Sequence, residues 1–229
     1  MTNAPQTDRP LPSGADIVAF QQSCLALPDW PRDTGGERTG VQAGQACALW
    51  RWIEANHRFN SLLWAEEDLA RRTRVSDGEI AVNKRNIDRY NQARNDATER
   101  VDEWILVALG LVDSRSAADD APVSTPARGA RLNSETAGSM IDRLSIMALK
   151  VYAMRLQTQR ADVDDAHRLA SQVKLERLQT QRDDLAGCLD ELITDSRSGR
   201  AYFKVYRQFK MYNDARFNPA LVAEAAAKG

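Results

Sequence analysis

A chain of 229 residues, 43% hydrophobic and 28% charged, has enough apolar material for a real core, as one large domain or two small ones. A formal net charge of −1 excludes a surface coated with base for nucleic acid, and no apolar run approaches the length that crosses a bilayer. The three cysteines, Cys24, Cys47 and Cys188, are odd in number and far apart, which excludes a disulfide framework and a CxxC metal site.

The first residues, MTNAPQTDRPLPSG, lack the basic-then-greasy order of a secretory signal, so the expected compartment is the cytoplasm, with reduced thiols. Residues 1–40 read as mostly irregular, with one short helix from Ala15 to Leu27. A second helix is expected from Val41 to Arg72. The third starts at a capping box, Ser76 with Glu79 three residues on, and stops at Gly110. Asp113 to Leu132 is rich in Ala, Ser, Asp and Pro and reads as a disordered linker. Asn133 or Ser134 then caps a fourth helix, with Glu135 in its first turn, running to about Arg160. A fifth covers Asp164 to Arg197 and a sixth Arg200 to Tyr212. Asn218-Pro219 ends the ordered part, leaving 220–229 as a flexible tail. No run alternates like a strand. The expectation is an all-α fold, a single bundle of five to six helices over 41–219. The hexapeptide RLQTQR occurs at 155–160 and again at 177–182, which reads as two exposed surfaces rich in good helix formers.

Charge interrupts the apolar stripes. In the third helix Ile80, Ile87, Tyr90, Ala97, Val101, Trp104 and Ala108 recur at three- and four-residue steps, and Arg94 falls among them. Lys84, Asp88, Asn91, Asn95, Glu99 and Asp102 border that stripe. In the second helix Trp50, Ile53, His57, Asn60, Trp64, Glu67, Asp68 and Arg71 share one band, while Trp52, Phe59, Leu62 and Leu63 occupy the other side. The fourth helix carries Asp142 and Ser145 inside the band of Ile141, Leu144, Ile146, Ala148, Leu149 and Tyr152. A buried charge is costly unless it is paired or meets a ligand. The pattern therefore admits either a salt-bridge network that fixes helix register or a ligand site between helices.

On the ligand reading, His57, Asn60, Arg71, Asn91, Arg94, Asn95, Asp142 and Lys210 bind a phosphorylated or sugar-bearing small molecule. Glu67, Asp88 and Glu99 then serve as catalytic bases. Lys210 belongs to the expected last helix, RAYFKVYRQFKMYND, whose interleaved aromatics and bases suit either an anion or plain amphipathic docking. With His57 and His167 as the only histidines, a histidine-rich metal site is excluded; oxygen ligands from Glu67, Asp68, Glu99 and Asp102 would suit Mg²⁺. No glycine-rich phosphate loop, GxSxG elbow or HExxH occurs.

Two resemblances add to this. Glu99 and Asp102 form an ExxD pair similar to those of all-helical, Mg²⁺-dependent nucleotide pyrophosphohydrolases, although the ExxE partner is absent. More broadly, HRFNSLLWAEEDLARR at 57–72, IAVNKRNIDRYNQARNDATERVDE at 80–103, NSETAGSMIDRLSIMALKVY at 133–152 and FKVYRQFKMYNDARFNP at 203–219 together resemble a bacterial family, domain of unknown function 4254. Ala137 stands where that family's motif has proline. The resemblance implies an all-helical bacterial cytoplasmic protein, encoded beside genes of glycosyltransferases and lipopolysaccharide assembly. It implies no activity. A non-catalytic adaptor for a glycosyltransferase-type protein is thus the alternative to a small-molecule site.

Overall fold

The computed structural model describes residues 11–31, 45–208, 211 and 214–227. Six helices occur among the described residues. α1 (Gly14–Leu25) begins at a Ser13–Asp16 capping box. α2 (Gln45–Leu69) and α3 (Asp77–Ala108) form one long hairpin, with the expected Ser76–Glu79 box starting α3. Gly110, at φ +68°, turns the chain out of α3, a backbone conformation that costs glycine little. α4 (Ala137–Thr158) and α5 (Asp165–Arg197) form a second hairpin, and Asp164 caps α5. α3 and α2 both lean on α4, and α1 lies across α4 and α5. Ile17, Ile53, Leu106, Ile141, Leu144 and Leu189 fill the centre, each almost wholly buried.

One close crossing sets the spacing of the two hairpins. A Cβ on Gly138 would stand 2.5 Å from the Thr98 carbonyl oxygen and 2.8 Å from Asp102 Cγ, so the start of α4 lies directly on α3.

Several sequence expectations need correction. α4 starts at Ala137 with Thr136 as its cap, not at Asn133 or Ser134. Asn133 is drawn away because its N–H donates to the Tyr202 carbonyl at 2.7 Å. That bond belongs to a short parallel ladder of β1 (Arg131–Leu132) and β2 (Ala201–Tyr202). The expected sixth helix from Arg200 is therefore absent among the described residues. Gly199, at φ +70°, ends α5, and the chain continues as an extended strap over 203–208. The spacing of Tyr202, Phe203 and Tyr206 suits a helix. Extension wins because it lets Ala201 and Phe203 enter the core, at 1% and 0% exposure. Burying a side chain of the size of Phe203 contributes about 2–3 kcal/mol.

The linker at 113–132 is non-helical, as expected, yet it is held against the body instead of hanging free. Ala117 is buried in the core, and the Thr125 N–H donates to the Leu111 carbonyl at 2.8 Å. Ordered chain also continues past Asn218: Pro219, suited to a first helical turn, opens α6 (Pro219–Ala227), which buries none of its residues.

Candidate functional site

A continuous polar network runs through the middle of the bundle. Asp142 Oδ1 accepts from Asn56 Nδ2 and from Asn60 Nδ2, both at 2.8 Å. Asn60 Nδ2 also lies 3.1 Å from Ser145 Oγ. His57 ends the chain of contacts: Nε2 is 3.1 Å from the Gln21 carbonyl and Nδ1 is 2.8 Å from Ser145 Oγ. A carbonyl can only accept, so Nε2 carries the proton and Nδ1 accepts from the serine. Burial pushes the His57 pKa down to about 4, with the Gln21 bond opposing the shift, so the ring is neutral. Trp30 stacks on it at 5.3 Å between ring centres. This end of the network is closed, with His57 at 0% exposure.

The other end opens. Asn60, Trp64, Glu67 and Asp68 recur along one face of α2 with Arg71 just past its end, Asn91 and Arg94 along α3, and Ile146 and Leu149 along α4. Together with Leu63 they line a cleft of about 320 Å³. That volume is within the range of small-molecule sites. Leu63, Ile146 and Leu149 make an apolar wall, and the half-exposed Trp64 offers a ring edge or face.

Arg94 is incompletely bonded. Its Nη2 donates to Asn95 Oδ1 at 3.2 Å, and its Nε sits 3.9 Å from Asp142 Oδ1, too far for a hydrogen bond. That buried Nε has no hydrogen-bond partner among the described residues. A buried donor left unpaired costs roughly 1–3 kcal/mol. Arg94 therefore carries donors that the protein itself does not fill.

Glu99 and Asp102 lie elsewhere. Arg207, on the strap, places Nη1 at 3.1 Å from Glu99 Oε2 and 2.5 Å from Glu103 Oε1. Its Nη2 donates to the carbonyls of Ala117 and Asp119, and its Nε to Asp119 as well. All five N–H groups of that guanidinium are used. Burial pulls the Arg207 pKa down, but the hydrogen bonds to Glu103 and Glu99 outweigh it and leave it raised. Glu99 Oε1 also accepts from the Gln208 N–H. Asp102 is buried and accepts the Gly138 N–H at 2.6 Å, and burial pushes its carboxyl up to about 7, against the Thr136 and Gly138 hydrogen bonds.

The structure thus gathers only part of the sequence-predicted site. Asn60, Arg71, Asn91 and Arg94 share the cleft with Glu67 and Asp68. Asn95 and Asp142 stand behind Arg94 and hold it, and His57 is sealed in the core. The expected catalytic trio does not converge: Glu67 is at the cleft, Asp88 is exposed and pairs with Lys84 one turn away, and Glu99 is clasped by Arg207. The expected Mg²⁺ set splits in the same way, because Glu99 and Asp102 already serve the strap and the start of α4. Among the described residues no group of three or more His, Cys, Asp or Glu is arranged to hold a metal. The ExxD resemblance accordingly has no counterpart facing the cleft. Lys210 lies outside the described residues.

Two residues that matter escaped the sequence reading. Asn56 sits one turn before Asn60 and had a helical-spacing signal of its own. Gln208 carried none, and Arg207 stood out only as one base of the expected last helix, since their partners are about a hundred residues away.

No helix among the described residues is long and apolar enough to cross a membrane. No curated protein and no solved structure matches this chain. Residues 50–205, spanning the cleft and both hairpins, match the family described as "Protein of unknown function (DUF4254)", and the chain belongs to that family.

Proposed function

We propose that this protein binds a small, sugar-bearing anion, a sugar phosphate or nucleotide sugar, in the cleft between α2, α3 and α4. The observation that carries the reading is Arg94, whose guanidinium reaches the cleft with most of its donors open. A phosphate oxygen is the acceptor that a planar, multi-donor cation fits best. The Asn91 side chain, which lines the cleft beside it, can donate to the same anion. Glu67 and Asp68 present acceptors to sugar hydroxyls, and Trp64 offers an aromatic surface to the apolar face of a sugar ring. The reading is of binding, with no reaction step assigned. It suits a bacterial cytoplasmic protein that serves cell-surface polysaccharide assembly.

A second reading, an adaptor for a glycosyltransferase-type protein, draws on α6, where Leu221 and Val222 are exposed along a helix that buries nothing.

Calorimetry with sugar phosphates and nucleotide sugars, with and without Mg²⁺, tests the first reading against Arg94→Met. The wild type is expected to bind. The variant should bind at least about tenfold more weakly, which is about 1.4 kcal/mol. It should lose no more than about 1 kcal/mol of stability, because Asp142 keeps the amides of Asn56 and Asn60. Absence of binding across the panel, or a stability loss of about 3–5 kcal/mol as for a broken buried pair, overturns it.

A further inference from the structure

The strap and the cleft are joined by one amide. Asn95, nine-tenths buried, donates from Nδ2 to Gln208 Oε1 at 2.8 Å and accepts at Oδ1 from Arg94 Nη2 at 3.2 Å. An asparagine amide has a donor end and an acceptor end, and only one of its two flips satisfies both neighbours. In the observed flip the oxygen faces the guanidinium. In the other, an NH₂ group would face Arg94, donor against donor, and the arginine would lose its one hydrogen bond from a side chain.

The donor-only guanidinium requires the oxygen on its side, and Gln208 Oε1, on the strap, holds the amide by its other end. Gln208 is held there twice more: its own N–H donates to Glu99 Oε1 at 3.1 Å, and its neighbour Arg207 is locked to Glu99, Glu103 and two loop carbonyls. The strap is therefore registered on α3 by bonds independent of Asn95. Its backbone is thereby fixed beside Asn95.

We propose that Gln208 is a positioning residue for the cleft: through the Asn95 amide it sets the placement of the Arg94 guanidinium, so that docking of the strap and occupation of the cleft favour each other. This rests on the cleft being a ligand site, but the link from Gln208 to Arg94 exists without a ligand and can be read without one. By linkage, whatever the strap contributes to holding Arg94 ready, a bound anion returns as protection of the strap.

The test follows the Nε–H resonance of Arg94 by NMR in the full chain, assigned by its disappearance in Arg94→Lys. Gln208 is exposed, so Gln208→Ala should fold. In that variant the Arg94 signal should shift and its hydrogen exchange should quicken about tenfold. Gln208→Glu, which keeps a side-chain acceptor, should return the signal to its place. An unmoved signal in Gln208→Ala overturns the proposal, and so does a displaced signal that Gln208→Glu fails to restore. Titration with glucose 1-phosphate and UDP-glucose supplies the second arm. Gln208→Ala should bind about three- to tenfold more weakly at unchanged thermal midpoint, and the bound wild type should exchange the Gln208 amide more slowly. If the wild type binds neither probe, the cleft reading falls, while the Arg94 resonance still decides the link to the strap.

Discussion

Arg207 and Arg94 bring the same guanidinium to two ends of one helix-lined region, and their surroundings differ in a way that separates structure from site. Arg207 gives every N–H to the protein, tying α3, the loop after it and the strap into one unit. Arg94 gives one hydrogen bond to a side chain, leaves a buried Nε unpaired and faces a cleft. Sequence position treats both as charges near apolar neighbours. Counting donors tells them apart: a saturated arginine is a clasp, an unsaturated one awaits an acceptor.

The largest effect expected from this contrast is on Arg207. Arg207→Met leaves Glu99 without its cation and Glu103, only 8% exposed at its side chain, with Arg100 alone, and should cost about 3 kcal/mol in urea denaturation. A loss below about 1 kcal/mol would erase the distinction from Arg94.

A second effect concerns pH. Asp102 has its folded pKa raised from 3.8 to about 7, so the folded state keeps a proton that the unfolded chain has released. Its contribution is present below about pH 4 and is lost as pH rises through about 7. His57 has its pKa lowered from 6.5 to about 4, so its contribution is present above about pH 6.5 and is lost as pH falls through about 4. The two slopes oppose one another. Asp102→Asn keeps an acceptor for the Gly138 N–H and removes one slope. Its stability advantage over wild type at pH 8 should shrink, by the order of 3 kcal/mol, on going to pH 4. An advantage that does not change between those pH values would show that Asp102 is not held protonated by burial.

The smallest effect sharpens the boundary of the cleft. Asp88→Ala removes an exposed pair with Lys84 and should change stability by less than about 0.5 kcal/mol, with no change in ligand affinity by calorimetry. A marked loss of affinity there would move the site along α3, away from Arg94.

Much of the architecture was legible from local signals. The Ser76–Glu79 box and Gly110 sit at real helix ends, because caps and left-handed turns are satisfied within a few residues. The interruption of the α3 stripe by Arg94, and of the α4 band by Asp142 and Ser145, pointed to polar groups between helices, since helical pitch alone puts them on an inward face. Chemistry was harder to read. Asp88 and Glu99 border the same stripe as Asn91, yet one is in solvent and the other under the strap.

The all-α class and the presence of charge inside the apolar faces were determined by the chain's own periodicity and composition, and the family by the match over residues 50–205. Which of those charges are occupied was decided only in three dimensions. The strap reaches Glu99, Glu103 and Asn95 from more than a hundred residues away, and Phe203 leaves a helical pattern to fill the core. Period and capping are written within a turn or two of helix. Whether a buried donor finds its acceptor depends on which distant segment is folded against it, and that is a property of packing.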